Sequence, residues 1–135
     1  MQLNWEDKTI VIVDDIKINL VLIKTQLWKS KANFVWLING QEAIDYVQEK
    51  KKVDVILMDI RMPVLDGVEA TKRIKQIAPD IPIIIQTASV MGHAYEEIAT
   101  SGCDGIVFKP IIREKLLEIM VKQFEKYSKE WNDHR

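Results

Sequence analysis

Apolar residues along the chain fall into two alternating rhythms. Five short runs, TIVIV (9–13), NFVWLI (33–38), VDVILM (53–58), IPIIIQ (81–86) and GIVF (105–108), are compact and mostly rich in branched side chains. Four of the five are nearly continuous rather than alternating, as parallel strands covered on both faces require. Between them the spacing becomes helical. Ile16, Leu20, Ile23 and Leu27 form one stripe, Ala43, Ile44 and Val47 a second, and Val68, Thr71, Ile74 and Ala78 a weaker third. Tyr95, Ile98 and Ala99 predict a short fourth helix, and Leu116, Met120, Phe124 and Tyr127 a long fifth. Five βα units with short connections predict a doubly wound, flavodoxin-like α/β fold with a five-stranded parallel sheet and five helices. One domain is expected over residues 1–135, with its core at about 8–126 and a fraying tail, KEWNDHR, after it.

The residue just past each run is the next signal. The first run ends in Asp14 and Asp15, the third in Asp59, the fourth in Thr87 and Ala88, and the fifth in Lys109 and Pro110. The second ends in Asn39 and Gly40, a turn signal. In a doubly wound sheet, ligands bind at the carboxyl ends of the strands, near the switch in strand order. With the second strand at an edge, in order 2-1-3-4-5, the other four strands bring three carboxylates, a hydroxyl and an ammonium into one crevice. A carboxylate at the end of a buried strand is penalised by desolvation, so Asp59 belongs to a site.

That inventory points to phosphoryl chemistry. Clustered carboxylates repel one another unless a cation joins them, and all-oxygen ligation favours Mg²⁺, with Mn²⁺ as a substitute, over zinc. A hydroxyl and a lysine opposite the cation supply donors for the equatorial oxygens of a phosphoryl group. No Ser–His or Cys–His pair offers a nucleophile, which leaves a carboxylate oxygen and an aspartyl phosphate. Taken singly, each element has a plainer reading. Asp14–Asp15 is a helix cap, Asp59 and the Asp66–Gly67 pair are turn formers, and Lys109 is a surface charge. Four complementary strand ends in one chain favour the joint reading.

Composition removes competitors. Hydrophobic residues make up 47% and charged residues 29%, and the net charge of −1 gives no general attraction to nucleic acid or to an anionic membrane. The lone Cys103 excludes an internal disulfide and reads as a small buried apolar side chain. His93 and His134 are isolated and are not expected to bind metal. Lys50, Lys51 and Lys52 suit the negative end of a helix dipole. No run approaches the roughly 18 residues of a membrane span, so a cytoplasmic domain, free or part of a larger sensor kinase, is expected.

The segments VIVDDIKIN, LMDIRMPVLDG, QTAS and FKP stand in an order and spacing that resemble the receiver domain of two-component response regulators, from Lys8 to about Phe124. The resemblance implies that Asp59 is the phosphoacceptor and that Asp14, Asp15, Asp59 and the backbone carbonyl of Arg61 hold Mg²⁺. It implies that Thr87 and Lys109 bind the phosphoryl group, supported by Ala88 and Ser89, with a cis peptide before Pro110. The implied donor is a phosphohistidine on a histidine kinase or histidine phosphotransfer domain, docking beside a helix that begins at Asp15. Ile18, Val21 and Leu22 are candidate contacts for it. The opening LNWEDKTIVIVDD and the phrase NGQEAI look most like receivers of hybrid sensor histidine kinases. Self-catalysed transfer and loss of the phosphoryl group are implied, without turnover of an external substrate.

One position departs from the family. Receivers often carry Tyr or Phe three residues before the lysine, where this chain has Ile106, and Phe108 is expected to face differently. Output is then expected to pass through loop order alone. Two alternatives stay open: a degenerate receiver used as a docking module, and an aspartate-nucleophile phosphatase, which would want Asp-x-Asp where the first strand ends in DDIK and a cap insertion for which the chain has no room. A flavodoxin-type nucleotide or flavin site is disfavoured, because acidic DDIK replaces the phosphate loop such a site needs. Neutralising Asp14 or Asp59 is expected to raise the melting temperature without metal and to weaken Mg²⁺ binding.

Overall fold

In a computed structural model that describes residues 3–88 and 93–133, with side chains at 3–88 and 95–126, strands and helices alternate along the chain. They are β1 (Thr9–Val13), α1 (Lys17–Leu27), β2 (Asn33–Leu37), α2 (Gly40–Gln48), β3 (Val55–Asp59), α3 (Gly67–Ile77), β4 (Ile83–Thr87), α4 (His93–Ala99), β5 (Gly105–Phe108) and α5 (Arg113–Asp133). The strands are parallel and lie in the order β2-β1-β3-β4-β5. Each of β1, β3 and β4 is buried along its whole length, which explains their unbroken apolar runs. The edge strand β2 has no fully buried residue: Asn33 and Trp36 are exposed and Phe34, Val35 and Leu37 are half-buried.

Two apolar layers cover the sheet. Val11, Val13, Ile56, Met58, Ile83 and Ile85 pack with Ala43, Ile44 and Val47 of α2, Val68 and Ile74 of α3 and Ile98 of α4. On the other face Ile10, Ile12, Leu57, Ile84 and Val107 meet Leu20, Ile23 and Leu27 of α1 and Leu116 and Met120 of α5. Trp5 joins this second layer, with its ring edge-on to Phe124 at a centroid distance of 5.0 Å. Half-buried Cys103 packs against the first. Among the described residues, no helix is long and apolar enough to cross a membrane.

The helix stripes need three corrections. Ile16 is 52% exposed, because it occupies the N-cap position of α1 in extended geometry and precedes the helix. Consequently α1 starts at Lys17, two residues later than Asp15. Tyr95 is 55% exposed and Ala99 is also exposed, so among the described side chains of the short α4 only Ile98 is buried. Finally, α5 continues to Asp133, through most of the segment expected to fray, while His134 and the side chain of His93 lie outside the described residues.

Both expected turns turn out to be helix starts. Asn39 accepts the Glu42 amide at 2.8 Å while the Glu42 carboxylate accepts the Ile38 amide at 2.9 Å, a reciprocal cap on α2. Asp66 caps α3 by accepting the Glu69 amide at 2.9 Å. This second cap fixes where α3 begins, and therefore how the loop after β3 returns beneath the strand end.

Candidate functional site

Asp59 is the last residue of β3 and is 7% exposed, although the strand around it is apolar. The loop behind it is closed by Gly67, whose amide donates to the Ile60 carbonyl at 2.8 Å. A Cβ at position 67 would stand 1.9 Å from the Asp59 carbonyl oxygen, so only glycine lets α3 start there.

Asp14 lies one residue beyond β1 and is fully buried. The α1 N-cap is Ile16, without a side-chain cap bond, so Asp14 and Asp15 do not serve as that cap. Instead, Asp14 Oδ1 accepts the Ile16 amide at 2.9 Å, while Oδ2 is buried with no hydrogen-bond partner among the described residues. Burial pushes the Asp14 carboxyl above its ordinary range, and Asp59 adds to that. The Ile16 amide, Lys109 and the Asn19 side chain pull it the other way.

Asp14, Asp15 and Asp59 bring one carboxylate oxygen each to within 4.8 Å of one another. Asp15 is exposed and borders an open cleft of about 490 Å³ together with Arg61, Met62, Pro63, Asp66 and Glu97. Lys109 follows β5, and its Nζ donates to Asp59 Oδ1 at 3.0 Å and stands 4.0 Å from Asp14 Oδ2. The Lys109 amide donates to the Thr87 carbonyl at 2.8 Å, and the Lys109–Pro110 peptide is cis. Thr87 closes β4, one residue past Gln86, the register partner of Asp59. Ala88 is exposed beyond it, and Ser89 lies outside the described residues.

This donor set is hard, all-oxygen and anionic, with a buried carboxylate oxygen left over. Those features fit an oxygen-preferring divalent cation open to solvent on the cleft side. Lys109 alone cannot neutralise three acids, so a cation would relieve their mutual repulsion.

Ile106 packs on the α2–α3–α4 side of the sheet. The two-residue period of β5 puts Phe108 on that same side, opposite to Val107, and leaves it 52% exposed. The expectation that Phe108 faces differently is thereby corrected. Ile18, Val21 and Leu22 are 58%, 43% and 53% exposed, so all three face outward from α1.

Three residues near the site carried no sequence signal that set them apart. Asn19 reaches Asp14 from the first turn of α1, and the Trp36 indole Nε1 donates to the Asp14 carbonyl at 2.7 Å. Gln86 is fully buried, and both polar atoms of its amide lack a partner among the described residues. Since burying an unpaired amide is unfavourable, Gln86→Met, close to it in shape, should stabilise the fold by about 1–2 kcal/mol. Urea unfolding tests this: an unchanged or lower midpoint would mean that the amide is satisfied in solution.

Known proteins agree with this geometry. Residues 10–121 match the family model of the response regulator receiver domain. A hybrid signal transduction histidine kinase I from Dictyostelium discoideum is 38% identical over 129 residues, covering 90% of this chain and 7% of that protein. The polar-differentiation response regulator DivK from Brucella anthropi is 34% identical over 113 residues, covering 82% of this chain and 91% of that one. The chain thus spans only a small part of the kinase relative and nearly all of DivK. Among solved structures, the receiver domain of the sensor histidine kinase PA1611 from Pseudomonas aeruginosa superposes with a TM-score of 0.80 at 29% identity. That match covers 87% of this chain and 98% of the other, which has a magnesium ion coordinated in its active site cleft.

Proposed function

The chain belongs to the response regulator receiver family of two-component and phosphorelay signalling, and from that premise we propose that Asp59 accepts a phosphoryl group from a phosphohistidine. One observation carries the proposal: the strand-end carboxylates converge within 4.8 Å while Lys109 holds Asp59 Oδ1 at 3.0 Å. An Asp59 oxygen attacks phosphorus as the bond from phosphorus to the imidazole nitrogen breaks, and the departing imidazole takes a proton from solvent. Mg²⁺, held by Asp14, Asp15, Asp59 and the Arg61 carbonyl, would offset the negative charge of donor and acceptor. Lys109, already at Asp59, shifts its charge to a phosphoryl oxygen once the carboxylate carries the phosphoryl group as an acyl phosphate. Thr87, at the end of the neighbouring strand, supplies a hydroxyl for another oxygen.

The partner is a histidine kinase or a histidine phosphotransfer domain, received on the exposed side of α1 at Ile18, Val21 and Leu22. On this reading the domain works in the cytoplasm, and phosphorylation shifts a population between two surface states. The phosphoryl group is later lost by hydrolysis, and no other substrate is turned over.

Intact mass spectrometry after incubation with a small phosphodonor tests the proposal. One phosphoryl group should be gained with Mg²⁺, and none with EDTA or in Asp59→Asn. A gain that survives in Asp59→Asn would move the acceptor elsewhere.

A further inference from the structure

The strand that brings no functional side chain to the end-of-sheet site, β2, holds the most buried acid in place. Asp14 has left the β1 ladder, yet both of its backbone groups are tied to β2. Its amide donates to the Leu37 carbonyl at 3.0 Å, and its carbonyl accepts the Trp36 indole N–H at 2.7 Å. Trp36 pairs in register with Ile12, so the ring must reach two residues along the strand, roughly 6.6 Å at 3.3 Å per residue, to meet that carbonyl. Only a long side chain with a donor near its tip spans that distance, and the flat indole does so with two torsions to fix.

Asp14 is the residue most in need of such restraint. Its carboxylate is fully buried, and the ligating oxygens of Asp15 and Asp59 lie within 4.8 Å of its own. The Ile16 amide holds Oδ1 at 2.9 Å, and Oδ2 has no hydrogen bond among the described residues. Repulsion favours moving the residue outward, and any backbone movement that does so rotates the Asp14 carbonyl. A carbonyl fixed by Trp36 opposes the rotation.

We infer that Trp36 is a positioning residue, whose indole N–H holds the Asp14 peptide so that the buried carboxylate stays aimed at the cation site. The inference rests on the proposed Mg²⁺ site and assigns the restraint to a residue outside the acid–threonine–lysine set. The ring lies at the sheet edge and is 37% exposed.

The test compares the native chain, Trp36→Phe and a chain with 3-benzothienylalanine at position 36, which keeps the ring and replaces the N–H by sulfur. Calorimetric titration with Mg²⁺ alone should give about fivefold weaker binding in both altered chains, one hydrogen bond's worth. The benzothienyl chain, isosteric with the native one, should also melt lower without metal, because the hydrogen bond it loses is present there, and its weakened Mg²⁺ binding is the readout that marks positioning. In the native chain, the Trp36 indole proton resonance, assigned by its loss in Trp36→Phe, should shift on saturation with Mg²⁺. A merely structural role would lower the melting temperature and leave Mg²⁺ affinity unchanged. Native affinity in the benzothienyl chain, or an unmoved indole resonance, would overturn the inference alone. Absence of Mg²⁺ binding by the native chain would overturn both the inference and the site on which it rests.

Discussion

Gly67→Ala should lower the stability of the domain by about 3 kcal/mol or more and disable phosphoryl acceptance together. The added methyl would stand 1.9 Å from the Asp59 carbonyl oxygen, 2.8 Å from its carbonyl carbon and 3.0 Å from the Ile60 Cα. All three are backbone atoms, so no side-chain rotation relieves the overlap. Either α3 shifts away from β3, or the end of β3 bends and takes Asp59 out of register with Gln86. Urea unfolding measures the first consequence. The second is read as phosphoryl gain at a temperature where the variant is still folded. Near-native stability would show that the loop has slack which the close approach at Gly67 excludes.

Asp14→Asn should act in the opposite sense on stability while damaging the site. Without metal, the variant should melt several degrees higher, on the order of 3–5 °C for each kcal/mol recovered in a domain of this size. It keeps an oxygen to accept the Ile16 amide and removes the charge that burial and Asp59 penalise. The pH dependence has a definite sign. The folded-state pKa of Asp14 lies above the ordinary 3.8, so its ionised form opposes folding at neutral pH. As pH falls through the raised pKa towards 3.8, the native residue binds its proton preferentially when folded, and the penalty fades. The advantage of Asn should therefore be largest at neutral pH and vanish below the ordinary carboxylate range. Melting curves in EDTA across that range check the trend, and calorimetry should show Mg²⁺ affinity at least tenfold lower.

The geometry separates two substitutions that the residue inventory treats alike. Asp59 has Lys109 at 3.0 Å, so Asp59→Asn removes an ion pair along with the repulsion. Asp14 is 4.0 Å from the same ammonium and fully buried, so the larger gain belongs there.

The fold was legible because its central strands are buried on both sides and say so in unbroken branched runs. The site was legible because four strands each end in a group with its own chemistry, and parallel topology forces those ends to one edge. Other features depend on contacts between distant elements. Asp66–Gly67 reads as a turn, and its second meaning, room for the Asp59 carbonyl, exists only once α3 folds back under β3. Trp36 reads as an ordinary β residue, since its N–H bond crosses from one strand to the end of another. Val64 adopts φ 71, a left-handed conformation that a branched side chain disfavours, so nothing in its identity announces it. Ile16 and Tyr95 match a helical stripe in spacing, yet one precedes its helix and the other lies on the outer side of a helix of only seven residues.

The central claim is that Asp59, rather than another acid of the cluster, carries the phosphoryl group. Borohydride reduction of the phosphorylated chain, followed by peptide mass spectrometry, tests it most directly, because hydride converts an aspartyl phosphate into homoserine at the modified position. The account predicts homoserine at position 59, dependent on Mg²⁺ and on phosphodonor. Homoserine at position 14 or 15, or a phosphoryl group that resists hydride, would contradict it.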